Sequence, residues 1–128
     1  MPNKEQITQA VYRYIDMMST SDIDGLAALY AAGATMEDPV GGKVLVGRDV
    51  IHLYYARFAN LKATAKLMTL RVSGDEAAFH FQLIADFGDG RGALMVDPID
   101  VMVFDNEGKI SSMKAYWSKD EAIWLPNI

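Results

Sequence analysis

A chain of 128 residues with 51% hydrophobic content is long enough to bury a core and too apolar to remain disordered. Twelve basic against seventeen acidic residues give a formal charge of −5, and no basic run could track a phosphate backbone. Nucleic acid is therefore excluded as an expected partner, a strongly anionic substrate is disfavoured, and the absence of cysteine rules out disulfides, thiolate chemistry and cysteine-ligated metals. MPNKEQIT carries no signal-like apolar segment and no stretch reaches the length of a membrane span. The expectation is one cytoplasmic domain over residues 1–128, with no membrane association.

In chain order, Ile7, Ala10, Val11, Tyr14, Ile15 and Met18 recur at three- and four-residue spacing and predict a helix over 4–18. A second helix is expected from Asp22, whose side chain can accept from free amides of the first turn. Leu26, Leu29 and Tyr30 form its inner face and Gly33 stops it. ATMED then runs extended into the turn PVGGK. A third helix begins near Gly47, with Val50, Ile51, Tyr54 and Phe58 on its buried side and Tyr55 beside them.

From Thr64 the period changes to alternation, predicting strands over 64–72, 76–87, 91–104 and 109–117. Gly74-Asp75, Gly88-Asp89-Gly90 and Asn106-Glu107-Gly108 suit tight turns between antiparallel neighbours. Helices followed by an antiparallel sheet make an α+β layout, in which the helices cross one side of a curved sheet and enclose an apolar pocket. Over 91–104, Leu94, Val96, Pro98, Asp100, Met102 and Phe104 share one parity, while Met95, Asp97, Ile99, Val101 and Val103 share the other. Both sets are apolar, so both faces need cover, and a second copy of the chain is the expected cover for the outer one: a homodimer. Pro98 marks an edge or a bulge and leaves the parity beyond it open.

Three acid-bearing side chains stand out. Asp38 adjoins Glu37, and in extended chain the two point to opposite faces, so one can enter a cavity while the other stays wet. Asp-Pro-Val-Gly is equally an ordinary turn. Asp100 lies in a strand too apolar for a routine carboxylate, so it is paired, neutral or solvent-facing. Facing an apolar cavity it would stay protonated at neutral pH, and beside the Tyr14 phenol it would make a two-donor site for an oxyanion. Tyr14 by itself reads as core.

Tyr30 and Tyr55 either extend a hydrogen-bond network behind Tyr14 or pack as core or interface aromatics. Met113 and Trp117 share a strand face, and Phe79, Phe81 and Leu83 can line the same space; core packing accounts for each equally well. His52 and His80 have no metal-binding neighbourhood, and no metal or other cofactor is expected. Gly-Asp-Gly-Arg-Gly at 88–92 reads as a hairpin turn rather than a nucleotide loop. Ser111 and Ser112 lack the partners of a nucleophilic triad.

RYIDMM around Tyr14, ATMEDPVG around Asp38, GRDVIHLYYARF around Tyr55, PIDVMVFDNEGKISSM around Asp100 and AYWS around Trp117 resemble bacterial steroid delta-isomerases (ketosteroid isomerases) nearly end to end. These enzymes belong to the cone-shaped α+β class that includes nuclear transport factor 2 and the SnoaL-like proteins. The resemblance implies Asp38 as general base and Tyr14 with protonated Asp100 as oxyanion donors. It implies Tyr30 and Tyr55 as support for the Tyr14 hydroxyl, and Trp117 and Met113 as pocket walls near the base. The implied reaction moves a proton from C4 to C6 of a 3-oxo-delta-5 steroid, a small apolar ketone, without a cofactor.

Two stretches depart from a steroid-shaped expectation. PVGG and KVLVG shape the pocket mouth, and His80, Asp86 and Asp97 add polarity to the sheet. Entry of His80 or Asp97 into the cavity would favour a smaller or more polar enone. A polyketide cyclase or dehydratase would share the fold and an acidic base without needing both oxyanion donors. Epoxide hydrolysis would call for an Asp-Arg-Asp set, and no such arginine is evident. A noncatalytic dimeric module holding an apolar ligand would leave Asp100 with an ordinary pKa.

Overall fold

The computed structural model describes residues 2–126; Met1, Asn127 and Ile128, at the ends of the span read as one domain, lie outside the described residues. Helix α1 runs Lys4–Thr20 and opens on a reciprocal cap, with Asn3 accepting from the Gln6 amide and Gln6 accepting from the Asn3 amide, each at 2.8 Å. Its stripe of Ile7, Ala10, Val11, Tyr14 and Ile15 is buried. Ser21 closes the helix in a left-handed conformation, its amide donating to the Met17 carbonyl. Ser19 and Ser21 then tie this end to the sheet, donating to the carbonyls of Ala65 (3.2 Å) and Leu61 (3.0 Å).

Helix α2 is Ile23–Ala28, capped by Asp22, which accepts from the Gly25 amide at 3.0 Å. It is shorter than the helix expected to reach Gly33. Strand β1, Tyr30–Glu37, begins two residues after it and carries Gly33 within it. The reason is tertiary: Tyr30 pairs with Ile110, and the Leu29 carbonyl accepts from the Ile110 amide at 2.9 Å. Those backbone groups are thus taken by the sheet rather than by another helical turn.

Strand β2, Val44–Val46, forms an antiparallel pair with β1 that alternation alone did not reveal. Gly47, at φ 101°, supplies the turn into α3, Arg48–Ala56. Its buried residues are Ile51 and Tyr55, with Tyr54 half-buried. Val50, expected inside, is 42% exposed, and Phe58 lies past the helix end.

The remaining strands are β3 Lys62–Ser73, β4 Glu76–Asp86, β5 Gly92–Val96, β6 Ile99–Phe104, β7 Ile110–Tyr116 and β8 Ile123–Pro126. The stretch 91–104 is thus two strands rather than one. The break falls at Asp97-Pro98, where proline has no amide hydrogen to donate. Strands β5 and β6 follow one another along a single edge of β4, pairing with Leu83–Asp86 and Glu76–His80 respectively. The parity of the inward residues survives the break. A short 3₁₀ turn, Lys119–Glu121, leads into β8, which extends the sheet beyond β5 and was not expected.

The sheet order is β2-β1-β7-β6-β4-β5-β8, with β3 on the other edge of β4. All pairs are antiparallel except β1 with β7, so the curved sheet is mixed. The helices pack on its inner face, with α1 over β3 and α2 against α3. Val11, Leu26, Met36, Ile51, Met102 and Ile110 fill the core between the layers.

Candidate active site

Between the helices and the inner face of the sheet lies a cavity of about 240 Å³, somewhat below the roughly 300–1,000 Å³ common for ligand sites. Its walls are mainly apolar. Alternate residues of β4 (Phe81, Leu83, Ala85) line one side, and Leu94, Val96, Pro98 and Asp100 continue that wall across the β5–β6 break. Tyr14, Tyr54, Tyr55, Asp38 and Trp117 bring polar groups to the same space.

Asp100 is 1% exposed and sits on β6 between Phe79 of β4 and Ala115 of β7. The Tyr14 hydroxyl donates to its Oδ2 at 3.2 Å, while Oδ1 has no partner. Burial, reinforced by the negative charge of Asp38, holds this carboxyl well above the ordinary range, against the opposing pull of the Tyr14 hydrogen bond. A neutral carboxylic acid in this setting carries an O–H with no acceptor inside the protein.

Tyr14 packs edge-on against Phe79 and Phe81, with ring centroids 5.8 and 6.2 Å apart. Burial and then Asp100 push its phenol well above the usual value, with the neighbouring Tyr55 hydroxyl acting the other way. Tyr30 and Tyr55 share a hydrogen bond between their hydroxyls at 2.7 Å.

Asp38 follows the last residue of β1. Glu37 turns away and accepts from the Gly41 amide at 2.8 Å, while Asp38 accepts from the Trp117 indole Nε1–H at 2.7 Å. The adjacent carboxylates thus separate as extended backbone requires. The parallel β1–β7 pairing brings Asp38 near Asp100: the Val40 amide donates to the carbonyl of Ala115, which is itself the register partner of Asp100. Burial raises the Asp38 pKa, opposed first by the Trp117 hydrogen bond and then by one from Tyr54. The pair is therefore graded: Asp100 is pushed strongly toward the neutral acid, Asp38 less so.

Of the other residues singled out in the sequence, Phe81, Leu83 and Trp117 line the cavity, whereas Phe79 and Met113 are buried core residues that do not. His80 and Asp97 pair with each other at 3.2 Å, 38% and 44% exposed at their side chains, and neither lines the cavity. His52 pairs with Asp24 at 2.9 Å on the surface. Among the described residues no arginine lines the cavity, and no group of three or more potential ligands converges on a metal position.

Sequence reasoning missed Tyr54 and Phe58 as lining residues, having placed them only on a buried helix side, and it missed Leu94, Val96 and Pro98. The signal was present in the shared parity of Leu94 to Asp100. Asp100 as a cavity residue implied the others.

A layer of helices on a curved mixed sheet, closed around an apolar cavity, is the architecture of the nuclear transport factor 2-like proteins. Residues 11–113 match the family described as the SnoaL-like domain. The chain is 39% identical over 121 residues to a steroid delta-isomerase of Nocardioides simplex, covering 94% of this chain and 97% of that protein. The chain belongs to the SnoaL-like family and is a homologue of that isomerase.

It is also 26% identical to the epoxide hydrolase LasB of Streptomyces lasalocidi, spanning 97% of this chain and about half (51%) of that protein. The solved structure of SalBIII superposes with a TM-score of 0.89 at 23% identity, covering 98% of this chain and all of that one. SalBIII is described as an epoxide hydrolase/cyclase-like enzyme with a role in pyran ring formation in the polyether salinomycin. That likeness extends to the fold alone. No described helix is long and apolar enough to cross a membrane.

Proposed function

We propose that this protein is a cofactor-independent steroid delta-isomerase, converting a 3-oxo-delta-5 steroid to its conjugated 3-oxo-delta-4 isomer. The observation that carries the proposal is the buried Asp100 carboxyl, bonded to Tyr14 through one oxygen and without a partner at the other. Such a group is costly to bury unless a ligand completes its hydrogen bonding.

The substrate carbonyl takes that place, accepting from neutral Asp100 and from the Tyr14 hydroxyl, which turns to it from Asp100 Oδ2. Asp38, ionised, removes a proton from C4. The electron pair moves into the ring as a dienolate, whose oxyanion the two donors stabilise. Asp38 then returns the proton at C6, so base and substrate end the cycle with the protons they require.

A carboxylate is a weak base for a carbon acid, and the donors make the chemistry feasible by lowering the energy of the dienolate. Trp117 orients the base through its indole N–H. The Tyr30–Tyr55 pair supports the Tyr14 hydroxyl from behind. The apolar walls formed by Phe81 and Leu83 favour fused rings through burial of area. Met113 and Phe79 back the site without lining it.

The test is turnover of 5-androstene-3,17-dione, followed by the ultraviolet absorbance of the conjugated enone. Asp38→Ala is expected to lower turnover by at least about a hundredfold while steroid binding changes little, because the ring contacts remain. Parallel loss of binding and turnover would count against a base role. Absence of conversion by the folded wild type would reject the isomerase reading.

A further inference from the structure

The length of the cavity exceeds what the proton transfer needs, and β4 provides the ruler. Asp100 is the register partner of Phe79, and the lining continues along the same strand through Phe81, Leu83 and Ala85 to Phe87 just beyond its end. The lining part of this stretch, from Phe81 to Phe87, covers six residues, or roughly 20 Å of chain at about 3.3 Å per residue. A four-ring ketone anchored at Tyr14 and Asp100 spans only part of that.

The remaining stretch is apolar. Leu61, Phe87, Leu94 and Phe58 line it. Strand β8 adds Trp124, the register partner of Leu94 and therefore on the same face of the sheet. The Trp124 ring stacks on Phe87, with centroids 6.0 Å apart and planes at 23°. Phe58 and Trp124 remain 39% and 44% exposed, so the cavity opens onto an aromatic shelf.

At the rim, the guanidinium groups of Arg57 and Arg91 lie 5.9 and 5.6 Å from the ring centroids of Phe58 and Phe87. Arg91 is also paired with Asp89. These charges mark where the apolar surface meets water. Asp89 offsets one of the two charges, and both guanidiniums sit near aromatic rings at the edge, so the shelf between them presents apolar area that suits an uncharged tail.

We infer that the site takes a 3-oxo-delta-5 steroid that retains an alkyl side chain at the end far from the ketone, with that chain lying on the Phe87–Trp124 shelf. The inference rests on the isomerase reading and adds the substrate class within it. A cavity of about 240 Å³ does not enclose a side-chained steroid whole, which is why its tail lies on the open shelf. The shelf is continuous with the catalytic cavity and offers apolar area that a ring system alone leaves wet.

The experiment compares three unreactive 3-oxo-delta-4 steroids that differ only at C17, carrying hydrogen, a two-carbon chain or a five-carbon chain. Binding is measured by calorimetry. Affinity is expected to rise about tenfold or more from the first to the last. Trp124→Ala should erase most of that increment, and Trp124→Phe should retain it, which separates loss of the shelf from loss of the fold.

Turnover of 5-androstene-3,17-dione by the wild type reports on the isomerase reading separately. Flat affinity across the series with good turnover overturns this inference alone. Equal weakening of all three ligands by Trp124→Ala overturns it too. Failure of every steroid to bind overturns both readings.

Discussion

Asp100 is where the chemistry of a single residue is most exposed to test. Its folded-state pKa is raised by burial, so its neutral form favours the folded state fully below the unfolded carboxylate range, and that contribution is lost as pH rises toward the folded value. Asp100→Asn removes the titration. The variant is expected to be more stable than wild type near pH 8 by about 1 kcal/mol or more, with the gap narrowing toward pH 4 in thermal melts. It should also lose on the order of tenfold to a hundredfold in kcat/KM, since an amide is a weaker donor to an oxyanion. The wild-type pH profile of kcat/KM follows from the same two shifts. Activity is expected to fall on the acid side as Asp38 takes up a proton, above the ordinary carboxylate range because burial raises it. It is expected to fall on the alkaline side as Asp100 ionises. A profile flat through the acid limb would remove Asp38 from the role of base. From sequence, Asp100 had three readings, and an apolar run cannot distinguish them because solvent access is a property of the neighbours.

At the scale of elements, the cluster of Tyr14, Tyr30 and Tyr55 depends on α1, α3 and β1 meeting at one depth. Tyr30 ends up as the first residue of β1, not on a helix, yet its hydroxyl still reaches Tyr55 at 2.7 Å. Tyr55→Phe leaves the Tyr30 hydroxyl buried without its partner and is expected to cost about 1–3 kcal/mol in urea unfolding. The double substitution Tyr30→Phe with Tyr55→Phe should cost less than the sum of the two single ones, because no orphaned hydroxyl remains. Additive costs would show that the pair is not coupled. The α1 stripe was legible because seventeen residues give many turns of periodicity. Helix α2, with six residues, offers too few, and Leu26, Leu29 and Tyr30 fit a helix face as well as a helix-to-strand passage. The break at Pro98 was visible as a proline, but its consequence, two strands sharing one edge of β4, was not.

For the whole molecule, the outer face of the sheet carries the next expectation. Ile99 and Tyr116 are register partners, 49% and 46% exposed, and Val101 and Val103 continue the same face half-buried. We propose that a second copy covers this surface, as the two-sided apolar pattern of 91–104 implied. Sedimentation velocity is expected to give a dimer at micromolar concentration. Ile99→Lys should shift it to monomer by placing a charge in the contact. A wild-type monomer at all concentrations would reject the dimer.

What the sequence determined by itself was local: the long first helix, the switch to alternation near Thr64, the tight glycine turns, and the separation of Glu37 from Asp38 by backbone direction. These follow from period and backbone geometry, which neighbouring residues settle among themselves. Resemblance to steroid delta-isomerases then supplied roles for Tyr14, Asp38 and Asp100. Only the tertiary structure decided that Asp100 is buried with one oxygen unpartnered, that β1 runs parallel to β7 and so carries Asp38 to the same cavity, and that β8 stacks Trp124 on Phe87, a residue of the cavity wall. Burial and cross-strand register depend on segments far apart in the chain, and no local pattern encodes which of them will meet.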